Sequence, residues 1–193
     1  MRVGVTGNYA SGKGTVCEIF QDLGGQVIDT DLVAREIVQP NTIGLQKIVT
    51  VFGEDYLDQN GFLKRRDLAQ FVFQDPLRVK KLNEITHPLI LDIVLEKTSK
   101  AGFFFINTPL LFEAKFHLHM DKNIVVMAKE SQLLDRGQKR DNLSLQEIKD
   151  RLKNQFSLNE KIKLADYIID NSKTFEKTKR QVKDLWNNLT KTT

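Results

Sequence analysis

The sequence predicts an α/β fold in which a five-stranded parallel sheet carries helices on both faces, giving three layers. Three observations carry this. A short apolar strand near the N-terminus runs into a glycine-rich loop that ends in a lysine. Two continuous apolar runs stand in mid-chain, as expected of central strands buried on both faces. Five strand-like stretches alternate with stretches of helical spacing, the pattern of a parallel sheet.

In chain order, Val3 and Val5 alternate as in a strand, and the loop follows as Gly7-Asn8-Tyr9-Ala10-Ser11-Gly12-Lys13-Gly14-Thr15. Val16, Ile19, Phe20 and Leu23 recur at the spacing of one helical face, predicting a helix over 15–23 that stops at Gly24-Gly25. Val27 and Ile28 form a second strand that ends at Asp29-Thr30-Asp31, with a helix over 32–38. From 40 to 100 only helical segments emerge, over 44–52, 65–73 and 89–97, with a turn at Asn60-Gly61 and Asp75-Pro76 as an N-cap followed by a first-turn proline. His87-Pro88 is read there as a break. The third and fourth strands are 103–106 and 124–127. Ser144 with Glu147 and Ser157 with Glu160 form two capping boxes that mark helix starts. A fifth strand over 167–169 and an amphipathic helix over 175–189 complete the series.

The loop is a phosphate-binding loop in its proper setting between a strand and a helix. Glycines let consecutive amides of residues 10–15 curl around a phosphate, the helix N-terminus adds its dipole, and Lys13 reaches the outer phosphates. One position departs from the pattern: Gly14 stands where a Ser or Thr would hold Mg²⁺, and the hydroxyl arrives one residue later as Thr15.

Composition sets the outer bounds. At 193 residues, with 40% hydrophobic and 28% charged residues, the chain reads as one soluble globular domain with insertions. No apolar run approaches the roughly 20 residues a membrane span needs, and residues 1–6 enter the first strand directly, leaving no room for a signal peptide. A lone Cys17 suits a reducing cytoplasm and reads as a packed residue. The net charge of +4 favours anionic ligands, but its basic residues are interleaved with Asp and Glu, and no aromatic-basic RNA motif accompanies them.

Ligands of open parallel sheets bind at the carboxyl ends of the strands, which selects Asp29, Asp31, Thr108 and Glu113 beside the loop. Asp31 fits a general base that takes a hydroxyl proton, and equally a helix N-cap. Arg136 and Arg140, four apart, share one helical face and fit either a phosphate clamp or a solvated basic face. Arg65 and Arg66 leave the same choice open. His117 and His119 read as surface-loop residues, and His87 as a turn or pocket residue.

Taken together, these motifs resemble the dephospho-coenzyme A kinases almost end to end. The residues that carry the likeness are Val27-Ile28-Asp29-Thr30-Asp31 with Ala34-Arg35, Gly61-Phe62-Leu63-Lys64-Arg65, His87-Pro88-Leu89-Ile90, Pro109-Leu110-Leu111-Phe112-Glu113, Arg136 with Arg140-Asp141, and Ala165-Asp166-Tyr167-Ile168-Ile169-Asp170-Asn171. The resemblance implies a P-loop NTPase-type fold and transfer of the γ-phosphate of ATP to the ribose 3′-hydroxyl of dephospho-CoA, with Mg²⁺. It implies a nucleotide-binding core over 1–39, 101–128 and 158–193, a helical CoA-binding domain over 40–100 and a lid over 129–157.

The same likeness distributes the roles. Asp31, Lys13 and Arg140 would be catalytic; Ala10, Ser11, Gly12, Lys13, Gly14, Thr15, Arg136, Arg140 and Asn171 would bind the nucleotide. Asp31, Arg65, His87, Pro109 and Glu113 would bind the acceptor, and Thr15 would support the metal. The expected partner is the small-molecule substrate, with no nucleic acid and no membrane, in a cytoplasmic monomer or weak homo-oligomer. The GKGT ending of the loop also fits a nucleoside monophosphate kinase, which needs no carboxylate base because its acceptor is already an anion. A nucleotide-binding regulatory protein is the reading from another class.

Overall fold

A computed structural model describes residues 1–142, 144–153 and 155–191, without the side chain of Arg151. The chain divides into two compact units, residues 1–29 with 100–193, and residues 30–99.

The first unit contains the sheet. Among the described residues its strands are β1 (Arg2–Thr6), β2 (Gln26–Asp29), β3 (Phe104–Asn107), β4 (Lys122–Met127) and β5 (Tyr167–Asp170), all parallel in the order β2-β3-β1-β4-β5. The chain leaves β1 for the edge strand β2, returns to β3, then crosses to the other side of β1. That reversal opens a crevice outside the carboxyl end of β1, where the phosphate loop lies.

Alternation along β1 puts Val3 and Val5, both fully buried, on one face. There they meet Val16, Ile19 and Phe20 of α1 (Lys13–Asp22) and Val182, Leu185 and Leu189 of α9 (Phe175–Lys191). Phe20 stacks on Phe105 of β3 with ring centroids 4.0 Å apart, a pair worth about 0.5–1.5 kcal/mol beyond its buried area. The sheet therefore fixes α1 directly behind the loop. Cys17 is buried in the same cluster and its thiol is pushed up to about 12, chiefly by burial, so it is the packed residue its surroundings imply. Among the described residues this unit also holds α6 (Glu130–Asp141), α7 (Leu145–Lys153) and α8 (Leu158–Lys163). Both expected capping boxes form: Ser144 N and Ser157 N each donate to the glutamate three residues on, at 2.8 Å. His117 and His119 lie in a 3₁₀ turn rather than a surface loop, with the His117 Nδ1 buried.

The second unit is helical, with α2 (Thr30–Glu36), α3 (Ile43–Phe52), α4 (Arg65–Val72) and α5 (Pro76–Lys97). Thr42 caps α3 by accepting from Leu45 N, and Asp75 caps α5 by accepting from Leu77 N at 2.8 Å, with Pro76 in the first turn. The expected break at His87-Pro88 does not occur, and α5 runs through it for 22 residues. Pro88 removes one main-chain bond, to the carbonyl of Glu84. Glu84 and Pro88 are both exposed, while Ile90 and Val94, which follow the proline, are buried and hold that half of the helix down. No described helix is long and apolar enough to cross a membrane.

Candidate active site

The loop after β1 takes its shape from backbone conformations that few residues tolerate. Ala10 (φ 60°) and Gly12 (φ 91°) are both left-handed, which turns successive amides toward one concave side, an anion-binding arrangement. Gly7 is needed for close approach: a Cβ there would sit 2.2 Å from the Val126 carbonyl oxygen of β4. At Gly12 a Cβ would sit 2.1 Å from Asn171 Nδ2. Lys13 opens α1 and its ammonium donates to the carbonyls of Gly7 (3.0 Å) and Asn8 (3.3 Å), so the lysine is held across the loop it serves.

Distant residues then clamp the loop from outside. Ser11 O accepts from Asn171 Nδ2 at 2.8 Å and from Arg136 Nη1 at 3.4 Å, and Arg136 Nη2 also donates to Asn171 O at 3.0 Å. Asn171, just beyond β5, is oriented by Thr178, whose hydroxyl donates to its Oδ1 at 2.9 Å. Arg136 is thus no solvated surface residue. Arg140, one turn further along α6, stands over the Tyr9 ring and forms a two-pronged ion pair with Asp141, both bonds at 2.9 Å. The two arginines predicted to share a face both turn it toward the phosphate loop.

The loop after β3 is built differently. Its Pro109 carbonyl accepts from Thr6 Oγ1 (3.3 Å) and from the ammonium of Lys161 (3.0 Å). Lys161 is fully buried in α8 and pairs with Glu113 at 3.0 Å, whose Oε1 also accepts from Phe156 N at 2.8 Å. Burial holds the Lys161 pKa below the usual lysine value, with Glu113 opposing. Sequence reading missed Lys161 because it lies in a polar helix between two other charged residues, and periodicity gives no sign that one lysine of that run is buried. It also missed the bond from Asn107 Nδ2 to Asp29 Oδ2 (2.8 Å), which joins partners in the β2–β3 register.

In the helical unit, Asp31 is the second residue of α2, two positions past the end of β2, and is exposed. The helix begins at Thr30, so Asp31 is not its N-cap; its charge still favours the positive end of the helix dipole. Arg65 opens α4 and is exposed, whereas His87 is half-buried in α5 and burial lowers its pKa, favouring the neutral ring.

Residues 143 and 154 of the expected lid lie outside the described residues. Whether a metal fits can be judged from the loop itself. A Cβ at Gly14 would meet nothing within 4 Å, so there is room at that position but no donor. Among the described residues, the Ser11 hydroxyl and Asn8 Oδ1 are buried without a protein partner. Oxygen donors beside the loop suit a hard cation held through water.

The family model for dephospho-CoA kinase matches residues 1–177. The chain belongs to the dephospho-CoA kinase family. Its members are ATP-dependent kinases that transfer phosphate to a hydroxyl group. The dephospho-CoA kinase of Listeria innocua is 40% identical over 185 residues, covering 93% of this chain and 92% of that protein. The dephospho-CoA kinase of Staphylococcus aureus is 40% identical over 173 residues, covering 88% and 84%. Among solved structures, a dephospho-CoA kinase from Campylobacter jejuni is similar with a TM-score of 0.74 and 31% identity, covering 98% of this chain and 97% of that one. A shikimate kinase from Acinetobacter baumannii, at 14% identity and a TM-score of 0.58, covers 99% and 93% and shares the fold alone. The family decides against the nucleoside monophosphate kinase reading that the GKGT ending left open.

Proposed function

We propose that this chain transfers the γ-phosphate of ATP to the ribose 3′-hydroxyl of dephospho-CoA, with Asp31 as the general base. The observation that carries the assignment of Asp31 is its place in the chain: an exposed carboxylate two residues beyond a strand's carboxyl end, at the second position of a helix. An alcohol acceptor needs a group to take its proton, and a positioned carboxylate contributes about 10²- to 10⁴-fold.

The remaining roles follow from the loop outward. Amides of residues 10–15 and Lys13 bind the ATP phosphates, Arg136 and Asn171 hold Ser11 so that the amides stay aligned, and Arg140 offsets charge developing on the transferred group. Arg65, His87, Pro109 and Glu113 take the acceptor. Thr15 and Asp29 would hold Mg²⁺ through water, and the ion would neutralise phosphate oxygens. The segment 129–157 acts as a lid that excludes water, residues 1–39, 101–128 and 158–193 form the nucleotide-binding core, and residues 40–100 bind the acceptor. A cytoplasmic monomer or weak homo-oligomer acting on a small molecule completes the reading.

The test is ADP release with dephospho-CoA, AMP, CMP or no acceptor, repeated with Asp31→Asn. Turnover is expected only with dephospho-CoA, and the variant is expected to lose at least about 100-fold in kcat while still binding ATP. Equal rates with AMP, or an unaffected variant, would overturn the assignment.

A further inference from the structure

Tyr9 stands in the middle of the phosphate loop, where a bulky phenol has no part in wrapping phosphate with main-chain amides. Its surroundings give it another task. The ring lies against α6 at Gly137, where a Cβ would sit 2.8 Å from Tyr9 Cε1 and 2.9 Å from Ile148 Cδ1. Glycine at 137 leaves the space the ring fills. The Arg140 guanidinium carbon stands 5.3 Å from the ring centroid. The Tyr9 hydroxyl donates to Asp141 Oδ2, and Asp141 accepts from Arg140 Nε and Nη2. Tyr9 N donates to Gln155 Oε1 at 2.9 Å, so the loop's main chain is tied to the end of the same segment.

We propose that Tyr9 is a positioning residue for Arg140: its ring and hydroxyl anchor the Arg140–Asp141 pair to the phosphate loop, so that Nη1, the edge Asp141 does not engage, is presented to the phosphates. This rests on the reading of Arg140 as a residue that stabilises phosphate charge. The Arg140 side chain is 63% exposed, and a long, exposed arginine loses rotamer entropy when it is ordered. Asp141 and Arg140 are adjacent in sequence at the end of α6, so their mutual pairing is local. The bond from Tyr9, 132 residues away, ties the pair to the phosphate loop. Burial and the neighbouring Asp141 carboxylate raise the phenol pKa above its ordinary value, with Arg140 opposing, so the hydroxyl is a donor at neutral pH.

The experiment is a double-mutant cycle. Tyr9→Phe keeps the ring in the Gly137 space and deletes only the hydroxyl; loss of one hydrogen bond to a charged group is expected to lower kcat about tenfold, with ATP binding changed less than about twofold. In an Arg140→Ala background the same substitution is expected to leave kcat unchanged. Gly137→Ala, which displaces the ring, is expected to reproduce the loss in the parent chain and not in the Arg140→Ala background. Equal losses from Tyr9→Phe in both backgrounds, or none in the parent while Arg140→Ala is impaired, would overturn this role for Tyr9 alone. Unchanged turnover in Arg140→Ala would overturn the reading of Arg140 and the role of Tyr9 with it.

Discussion

The loops after β1 and β3 both follow neighbouring strands of the sheet at its carboxyl edge, yet they are held by opposite means. The phosphate loop is shaped by its own backbone, through Ala10 and Gly12 in left-handed conformations and Gly7 pressed on Val126. The loop after β3 is held by a charge brought from 52 residues away, the buried Lys161 on Pro109 and Glu113. The first design keeps amide donors facing a ligand and leaves side chains out of the way. The second fixes a carboxylate whose partner must arrive through folding. A local loop is therefore sensitive to steric change, and a remote anchor to loss of charge.

The difference can be broken from either side. The largest stability loss is expected from Lys161→Met, which strands the Glu113 carboxylate, only 14% exposed, without its cation; removing one partner of a buried pair costs about 3–5 kcal/mol. Urea denaturation measures it, and a loss under about 1 kcal/mol would show that the pair does not hold this loop. Gly12→Ala comes next. Its left-handed φ costs about 1–2 kcal/mol in a non-glycine residue, and its Cβ displaces Asn171 from Ser11 O, so ATP affinity measured by calorimetry is expected to fall at least about tenfold. Unaltered ATP affinity would mean that the αL turn does not order the amides.

Gly14→Ser sharpens the comparison with the smallest effect. Its Cβ meets nothing within 4 Å, so stability is expected to stay within about 0.5 kcal/mol, while half-maximal turnover shifts to lower magnesium concentration as a direct hydroxyl donor replaces water. An identical magnesium titration would show that the ion is not held near position 14.

Legibility followed the range of the interactions involved. Val3, Val5 and the glycine loop are read from a dozen adjacent residues because alternation, turn chemistry and helix start are local events. Asp75-Pro76 and the two serine–glutamate boxes are legible for the same reason. His87-Pro88 misled because proline's local penalty is outweighed where Ile90 and Val94, just beyond it, are buried. Arg136 was legible as one of a pair, but its target was not: Ser11 O is 125 residues away.

By itself, then, the sequence determined the parallel α/β fold, the phosphate loop and, through its motif series, the family. Only the tertiary structure decided that Arg136 and Asn171 meet on one loop carbonyl, that Lys161 alone of its charged run is buried, and that Tyr9 reaches Asp141. The physical reason is that hydrophobic period and turn chemistry repeat along the chain, whereas a polar side chain's role depends on the partner that folding brings to it.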